Sequence, residues 1–369
     1  MSAYDAASHK HWRETLVRGL PEFDWTVLTL PARHFYWRMR SNALTFASRF
    51  PSELKQEYDL VIATSMVDIG ALRGLVPSLG TVPLLLYFHE NQFVYPLEKP
   101  SSNIVNAQLT SIINVQCADR ILFNSVYNRS SFFAGAQALL QRMPDGVEKI
   151  DLTHCREQAQ ILPVPINPVT IARKQNGNHR PDRPVELVWN HRWEYDKQPE
   201  VFFGALTRLK ATGVDFFVHV MGQSFRQVPE CFPLAREELE ANIRTWGYVP
   251  REQYEAVLLQ ADFVISTALH DFQGLSLLEA IAAGCLPVVP DRVAYPEYVP
   301  EAFRYKVVAP TEATNAQTSF QAVEAESEEL CKTLLNLLQT ANAVPDVGHY
   351  SWTKLEDRYR SLLLDLARR

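Results

Sequence analysis

Several features that would settle the chemistry of this chain at a glance are missing from it. Its 369 residues contain only five cysteines, Cys117, Cys155, Cys231, Cys285 and Cys331, and no two of them stand in a Cys-x-x-Cys spacing. An odd, scattered set supplies no zinc or disulfide framework and suits a reducing, cytoplasmic compartment. Nowhere does an apolar run reach the ~20 residues a membrane span requires; the longest mostly apolar stretches are 82–88 and 262–268. The first ten residues hold no basic stretch followed by an apolar one, so neither a secretory signal nor integral membrane association is expected. Positive charge is not in excess either. A formal net charge of −6 offers no global attraction to nucleic acid, so a polyanionic partner needs a local basic patch. The absence of Gly-x-Gly-x-x-Gly argues against a nicotinamide dehydrogenase, and that of Gly-x-x-x-x-Gly-Lys-Ser/Thr against a P-loop ATPase. Neither Asp-x-Asp nor His-x-x-x-His occurs, so no catalytic metal and no cofactor are expected.

What is present is an ordinary globular composition, 47% hydrophobic and 21% charged, in a length that suits two domains. Short apolar runs alternate with helical stretches, the pattern of parallel sheets covered by helices, so the fold class is α/β with two Rossmann-like domains. Strands are expected at 25–30, 59–63, 84–88 and 120–123, then at 185–189, 216–221, 263–267 and 286–290. Helices are expected at 11–20, 43–50, 67–75, 103–117 and 126–140, then at 199–211, 251–259, 275–283 and 326–340. Prolines 163, 165 and 168 and the polar stretch after them break this alternation. The domains are therefore read as 1–168, a linker at 169–184, and 185–350. The remaining stretch, 351–369, carries Leu355, Tyr359, Leu362 and Leu366 at helical spacing and reads as a terminal amphipathic helix. A doubly wound domain opens with its central strand, and the next loop approaches the ligand. Residues 2–10 look like that loop, and the expectation is that the chain lacks its first strand.

Three stretches carry chemistry. In the first, His270-Asp-Phe-Gln-Gly-Leu-Ser-Leu-Leu-Glu279, a strand ends, a loop bears Asp271 and Gly274, and a helix starts at Leu275. Unpaired N–H groups at a helix start, here around Gly274, Leu275 and Ser276, suit a phosphate. Two carboxylates, Asp271 and Glu279, can serve different parts of one ligand, the transferred sugar and the ribose. In the second stretch, Trp189-Asn190-His191-Arg192-Trp-Glu-Tyr-Asp-Lys197, two cations follow a strand end and can both aim at a pyrophosphate. The third, Tyr87-Phe-His89-Glu90-Asn91-Gln92, puts four polar groups in one strand-to-loop turn, fit for a sugar. Each has a plainer reading: a capped helix with incidental acids, solvated surface cations, a structural histidine.

Together these stretches resemble the retaining GT-B glycosyltransferases of family four. Asp271 and Glu279 match that group's acidic pair, with Asp in place of the usual first Glu, and Arg192 with Lys197 match its basic pair. The closer wording, including His191-Arg-Trp-Glu-Tyr-Asp-Lys197 and Tyr295-Pro-Glu-Tyr-Val-Pro300, is similar to one narrow branch, the tRNA-queuosine α-mannosyltransferase or glycosyltransferase-like domain-containing protein 1 group. The likeness runs from Ser8-His9-Lys10 to about Pro300; Ala6-Ala7 stands where the group has a Gly pair.

The resemblance implies two Rossmann-like domains facing each other across a cleft, with the terminal helix returning to the first. It implies GDP-mannose as the nucleotide-sugar donor and the queuosine of a tRNA, of the aspartate-accepting type, as acceptor. Glu279 would bind the ribose, with Asn190, His191 and the 274–276 turn completing the donor site, and Arg192 and Lys197 would hold the leaving diphosphate. Asp271 and His89 would position the mannose, and no metal or protein base is required.

For the acceptor, Arg33-His-Phe-Tyr-Trp37-Arg38-Met-Arg40 interleaves cations with aromatics, a composition suited to phosphates and stacked bases. Ser8, His9, Glu90, Asn91 and Gln92 are the other acceptor-side candidates. Two rival readings stand beside this one. A lipid or polysaccharide acceptor would use helix 11–20, with Trp12, Leu16 and Leu20 beside Arg13 and Arg18, at a membrane surface. A non-catalytic RNA- or nucleotide-binding protein retaining the fold is the other.

Overall fold

A computed structural model describes residues 1–94, 102–166, 183–224, 228–307 and 320–368. They form two compact units, Met1–Pro165 with Trp352–Arg369, and Ile166–Ser351. The linker expected at 169–184 lies, apart from Arg183 and Pro184, outside the described residues.

The first unit is built on four parallel strands, paired in chain order: β1 (Val61–Thr64), β2 (Leu84–Phe88), β3 (Arg120–Phe123) and β4 (Ala159–Ile161). Val61 stands opposite Leu84, Leu85 opposite Arg120, and Ile121 opposite Ala159. Every residue of β2 is buried, as a central strand covered on both faces requires. The cover comes from α1 (Ala7–Gly19), α2 (Phe35–Arg49), α3 (Ile69–Leu75), α4 (Ser102–Cys117), α5 (Val126–Leu140) and α6 (Thr153–Gln158). Asp68 caps α3 by accepting from Ala71 N, and Ser125 caps α5 by accepting from Asn128 N.

The strand expected at 25–30 does not form. Only Thr29 makes a bridge, to Ser2, with Ser2 N donating to Leu28 O and Leu30 N to Ser2 O. On their other side, residues 1–3 join β1: the Met1 ammonium donates to Ile62 O at 2.5 Å and Thr64 N to Met1 O at 3.0 Å. The sheet order therefore reverses at residues 1–3, and the loop after them runs directly into α1. Helix α2 starts at Phe35, eight residues before the expected position; its first turns bury Met39 but expose Trp37 and Arg40, which hides the apolar face in the sequence.

The C-terminal helix (Trp352–Ala367) belongs to this unit. Its Tyr359 hydroxyl accepts from Trp12 Nε1 at 3.0 Å and donates to Pro163 O at 2.8 Å. Trp12, Leu16 and Leu20 are buried, so α1 spends its apolar face inside the unit and offers none to a membrane.

The second unit carries six parallel strands in the order β10-β9-β8-β5-β6-β7. They are β5 (Val185–Trp189), β6 (Phe216–Met221), β7 (Ile243–Gly247), β8 (Phe263–Ile265), β9 (Leu286–Pro290) and β10 (Arg304–Tyr305). The helices are α7 (Pro199–Ala211), α8 (Cys231–Glu238), α9 (Arg251–Gln260), α10 (Leu275–Ala282) and α11 (Phe320–Gln339), after which the C-terminal helix is α12. From β5 the order runs outward through β6 and β7; β8 then pairs with the other side of β5, and β9 and β10 follow outward. The space beyond the ends of β5 and β8 is thus a topological switch point, where open α/β sheets bind ligands.

Candidate active site

In the second unit the switch point gathers the donor-side candidates. Beyond β5, Asn190 Nδ2 donates to Ser276 O at 2.9 Å and to Tyr254 Oη at 3.0 Å, tying this strand end to the first turn of α10. Gly222, beyond β6, has no room for a side chain: an added Cβ would lie 1.8 Å from the carbonyl oxygen of His191. The 191–197 turn therefore lies tightly against its neighbouring strand.

Lys197 closes that turn in the buried interior. Its Nζ donates to His270 O at 2.5 Å and sits 3.2 Å from Asp196 Oδ2. Burial alone would raise the Asp196 pKa, but Lys197, Arg192 and His270 outweigh it and hold the carboxyl below its ordinary value. Asp196 thus stays charged and keeps Lys197 anchored. Arg192 is half-exposed and lies 2.6 Å from Glu194 Oε2, so it can swing to a ligand at small cost. His191 and His270 are buried; burial first and the Lys197 charge second lower their pKa values to about 3 and about 4. Both are neutral at pH 7.

Beyond β8, Gly274 caps α10 in the left-handed region, φ 76°, where a Cβ would lie 2.7 Å from Tyr298 Oη. Asp271, in the loop before it, accepts from Tyr295 Oη at 3.1 Å. Glu279, on α10, is gripped by Arg251 Nη1 at 3.0 and 3.1 Å. Leu275 and Ser276 form the first turn of α10.

Three supports were not legible as site residues in the sequence. Arg251 opens α9 and orients Glu279. Tyr295 follows β9 and holds Asp271. Arg292 joins the Glu326 carboxylate (2.9 and 3.0 Å), Gln198 Oε1 (2.6 Å) and the carbonyls of Thr267 and Ala268, fixing the chain between β8 and Asp271.

In the first unit the candidates divide. His89, just past β2, and His9, in the first turn of α1, stack at 4.1 Å and 20°. Trp12 stacks on Tyr87 at 4.1 Å and meets His89 edge-on at 5.0 Å. Burial lowers the His9 pKa to about 4, and burial with the neighbouring His9 and His11 takes His89 well below its ordinary value. Among the described residues, neither ring nitrogen of His89, nor Nδ1 of His9, has a hydrogen-bond partner. Buried polar atoms of this kind require an explanation, and a ligand hydroxyl supplies one.

Ser8 lies in the first turn of α1, partly exposed beside His9. Asn91 is spent internally: Nδ2 donates to Asn128 O, Asn128 Oδ1 and Ser131 Oγ, while Oδ1 accepts from Phe93 N. Gln92 is buried and its carbonyl accepts from Gln108 Nε2; Glu90 is partly exposed, its carbonyl accepting from Ser65 Oγ. On α2, Trp37 is 74% exposed with Arg40 beside it on the surface, Arg33 precedes the helix, and the charges of Arg33 and Arg49 act on Arg38. A cavity of about 320 Å³ in this unit is walled mainly by apolar residues such as Trp12, Leu16, Trp25 and Leu28. Of the site candidates only His9 reaches it.

Among the described residues no group of His, Cys, Asp and Glu is arranged to hold a metal ion, and no helix is long and apolar enough to cross a membrane.

Comparison with known proteins places this geometry. A lipopolysaccharide outer core galactosyltransferase superposes with a TM-score of 0.59 at 13% identity, covering 92% of this chain and 84% of that one. A UDP-forming α,α-trehalose-phosphate synthase from Burkholderia xenovorans does so at 0.59 and 16% identity, covering 98% and 86%. At such identities the likeness is one of fold, the GT-B fold. The family model for group 1 glycosyl transferases matches residues 171–334, which include every donor-side candidate, and the chain is a glycosyltransferase. A second model, described as tRNA-queuosine alpha-mannosyltransferase N-terminal, matches residues 1–166. A Drosophila melanogaster protein named tRNA-queuosine alpha-mannosyltransferase is 34% identical over 304 residues, 80% of this chain and 79% of that protein. The chain belongs to the tRNA-queuosine alpha-mannosyltransferase family.

Proposed function

We propose that this enzyme moves mannose from GDP-mannose to the queuosine nucleoside of tRNA, retaining the sugar's configuration and using no metal ion. The observation that carries the acceptor is the match of residues 1–166 to the N-terminal model of that family, because this half is the family's own while the other is shared widely among glycosyltransferases. The same reading makes this a cytoplasmic enzyme, acting on the tRNA of that compartment.

In this reading Glu279, aimed by Arg251, binds the ribose hydroxyls. Lys197 and Arg192 take the diphosphate with the first turn of α10. Charge builds on the diphosphate as the glycosidic bond breaks, and two cations held in advance stabilise it most at that moment. Lys197 is anchored before the donor arrives, whereas Arg192 leaves Glu194 to meet it. Asp271 binds a mannose hydroxyl. His89, held neutral at pH 7 by burial, offers its ring nitrogens to a sugar hydroxyl. The leaving phosphate accepts the proton of the incoming hydroxyl, so no protein base is needed. Arg33, Trp37, Arg38 and Arg40 meet the RNA, the cations at phosphates and the exposed indole at a base.

The test is incubation of the purified protein with GDP-mannose and queuosine-containing bulk tRNA, followed by mass spectrometry of the nucleosides. Queuosine should gain one hexose, queuosine-free tRNA should gain none, and Glu279→Ala should abolish the gain. Unmodified queuosine after incubation with folded wild-type protein would rule out this acceptor.

A further inference from the structure

The turn after β9 lies beneath the Asp271–Gly274 loop. Its two tyrosines are buried, and each sends its hydroxyl into that loop. Tyr298 Oη donates to Gln273 O at 2.8 Å, which fixes the backbone. Tyr295 Oη lies 3.1 Å from Asp271 Oδ2 and 2.7 Å from Ser266 Oγ. The phenol donates to Asp271 Oδ2, so its single proton points at that oxygen. The tyrosine has no second proton, so the Ser266 hydroxyl must be the donor in the other bond. Ser266 Oγ accepts in turn from Ala268 N at 3.3 Å. The chain of bonds therefore has one direction, from Ala268 through Ser266 and Tyr295 to Asp271. Burial raises the Tyr295 pKa well above its ordinary value, which keeps the phenol protonated.

Asp271 has little else to hold it. Among the described residues, its carboxylate accepts, apart from Tyr295, only a long contact from Gln273 N, 3.4 Å, and the residue is partly exposed. A short, partly exposed side chain on a loop samples several rotamers unless one oxygen is pinned. Pinning Oδ2 from beneath leaves the remaining lone pairs for a ligand in a single orientation.

We infer that Tyr295 is a positioning residue, aiming Asp271 at the sugar of the donor through a hydrogen bond whose direction Ser266 sets. The inference rests on the assignment of Asp271 to the transferred sugar. Tyr295 touches no substrate itself.

The test uses the full-length enzyme and four variants, Tyr295→Phe, Asp271→Ala, the double variant and Ser266→Ala. Hexose transfer to tRNA is followed alongside binding of GDP, which has no sugar. Tyr295→Phe keeps the ring in the core and should lower kcat about tenfold, the order expected for one hydrogen bond to a charged group. GDP affinity should stay within about twofold, whereas a merely structural role would weaken it together with turnover. In the Asp271→Ala background the tyrosine change should cost less than about twofold more. Ser266→Ala should cost a few-fold, and it carries the test alone if Tyr295→Phe does not fold. Two outcomes overturn the inference and its basis separately. Normal turnover in Asp271→Ala removes the assignment of Asp271. Impaired Asp271→Ala with normal Tyr295→Phe and Ser266→Ala removes the role of Tyr295 alone.

Discussion

At the end of β5, Lys197 sits between the Asp196 carboxylate and the His270 carbonyl, and at the start of α9 Arg251 grips Glu279. At the end of β2, His89 is held by rings instead, with His9 stacked on one side and Trp12 edge-on. The second unit fixes its candidates with charge and the first with burial and stacking. The difference follows the ligands proposed for each. A diphosphate is a dianion and needs cations already in place. A sugar or nucleoside is neutral, and uncharged imidazoles can meet its hydroxyls without counter-ions. Stacking also aims a ring while leaving its nitrogens unspent, and the His89 nitrogens have no partner among the described residues.

Breaking the charged side should cost most. Lys197→Ala leaves Asp196 buried without its cation, and the protein should lose about 3–5 kcal/mol in chemical denaturation along with nearly all transfer. A change below about 1 kcal/mol would mean that water reaches Asp196 freely.

Acid tests both sides at once. The folded pKa values of His9 and His270 are about 4, and that of His191 about 3. All three lie below the unfolded value near 6.5. Between those limits the unfolded chain binds more protons, so stability is fully present above about pH 6.5 and falls as pH drops toward 4. At pH 5 each group should cost on the order of 2 kcal/mol. Denaturation at pH 7.5 and pH 5 should show a smaller difference for His9→Gln than for wild type; equal differences would mean that His9 is not held neutral.

Smaller effects separate ligand binding from folding. Arg192→Ala removes a half-exposed ion pair, so stability should move by less than about 0.5 kcal/mol. The KM for the nucleotide sugar should nevertheless rise about tenfold, since a charge-assisted bond is worth roughly 1.5–3 kcal/mol. Trp37→Ala should leave stability unchanged while weakening tRNA binding by about 1–3 kcal/mol, the worth of one stacked base. Arg40→Ala should flatten the salt dependence of that binding by about one unit of slope. Unaltered tRNA affinity in both variants would move the acceptor away from α2.

Much of the scaffold is visible in the sequence because buried parallel strands are apolar runs. Strands at 84–88, 120–123, 185–189, 216–221 and 286–290 are found where the residues indicate them. Three others are not legible. β4 has three residues of mixed character, β10 has two, and β7 is an edge strand with no fully buried residue. At 25–30 the apolar pattern is real, but only Thr29 pairs, in a single bridge to Ser2. The site divides in the same way. Asp271, Arg192 and Lys197 announce themselves in the loops that follow strand ends, and Glu279 on the helix after one of those loops. Their supports do not, because Arg251 reaches Glu279 across 28 positions, Tyr295 reaches Asp271 across 24, and Arg292 reaches Glu326 across 34. Such pairs exist only once the strand order brings two ends together. Asn91 stands apart: its residue type suggests a ligand contact, yet its amide nitrogen bonds to Asn128 and Ser131 on α5 and its oxygen accepts from Phe93 N.

The return of α12 to the first unit matters for vectorial synthesis. On a ribosome the first unit emerges first, but Trp12 lacks its Tyr359 acceptor and Gly19 its covering Trp352 until the final twenty or so residues are made. The second unit needs nothing beyond Ser351 and can close earlier. The half of the chain translated first thus keeps the α1 face around Trp12 and Gly19 uncovered until residues 352–367 are made, and an apolar face left open for that interval invites aggregation.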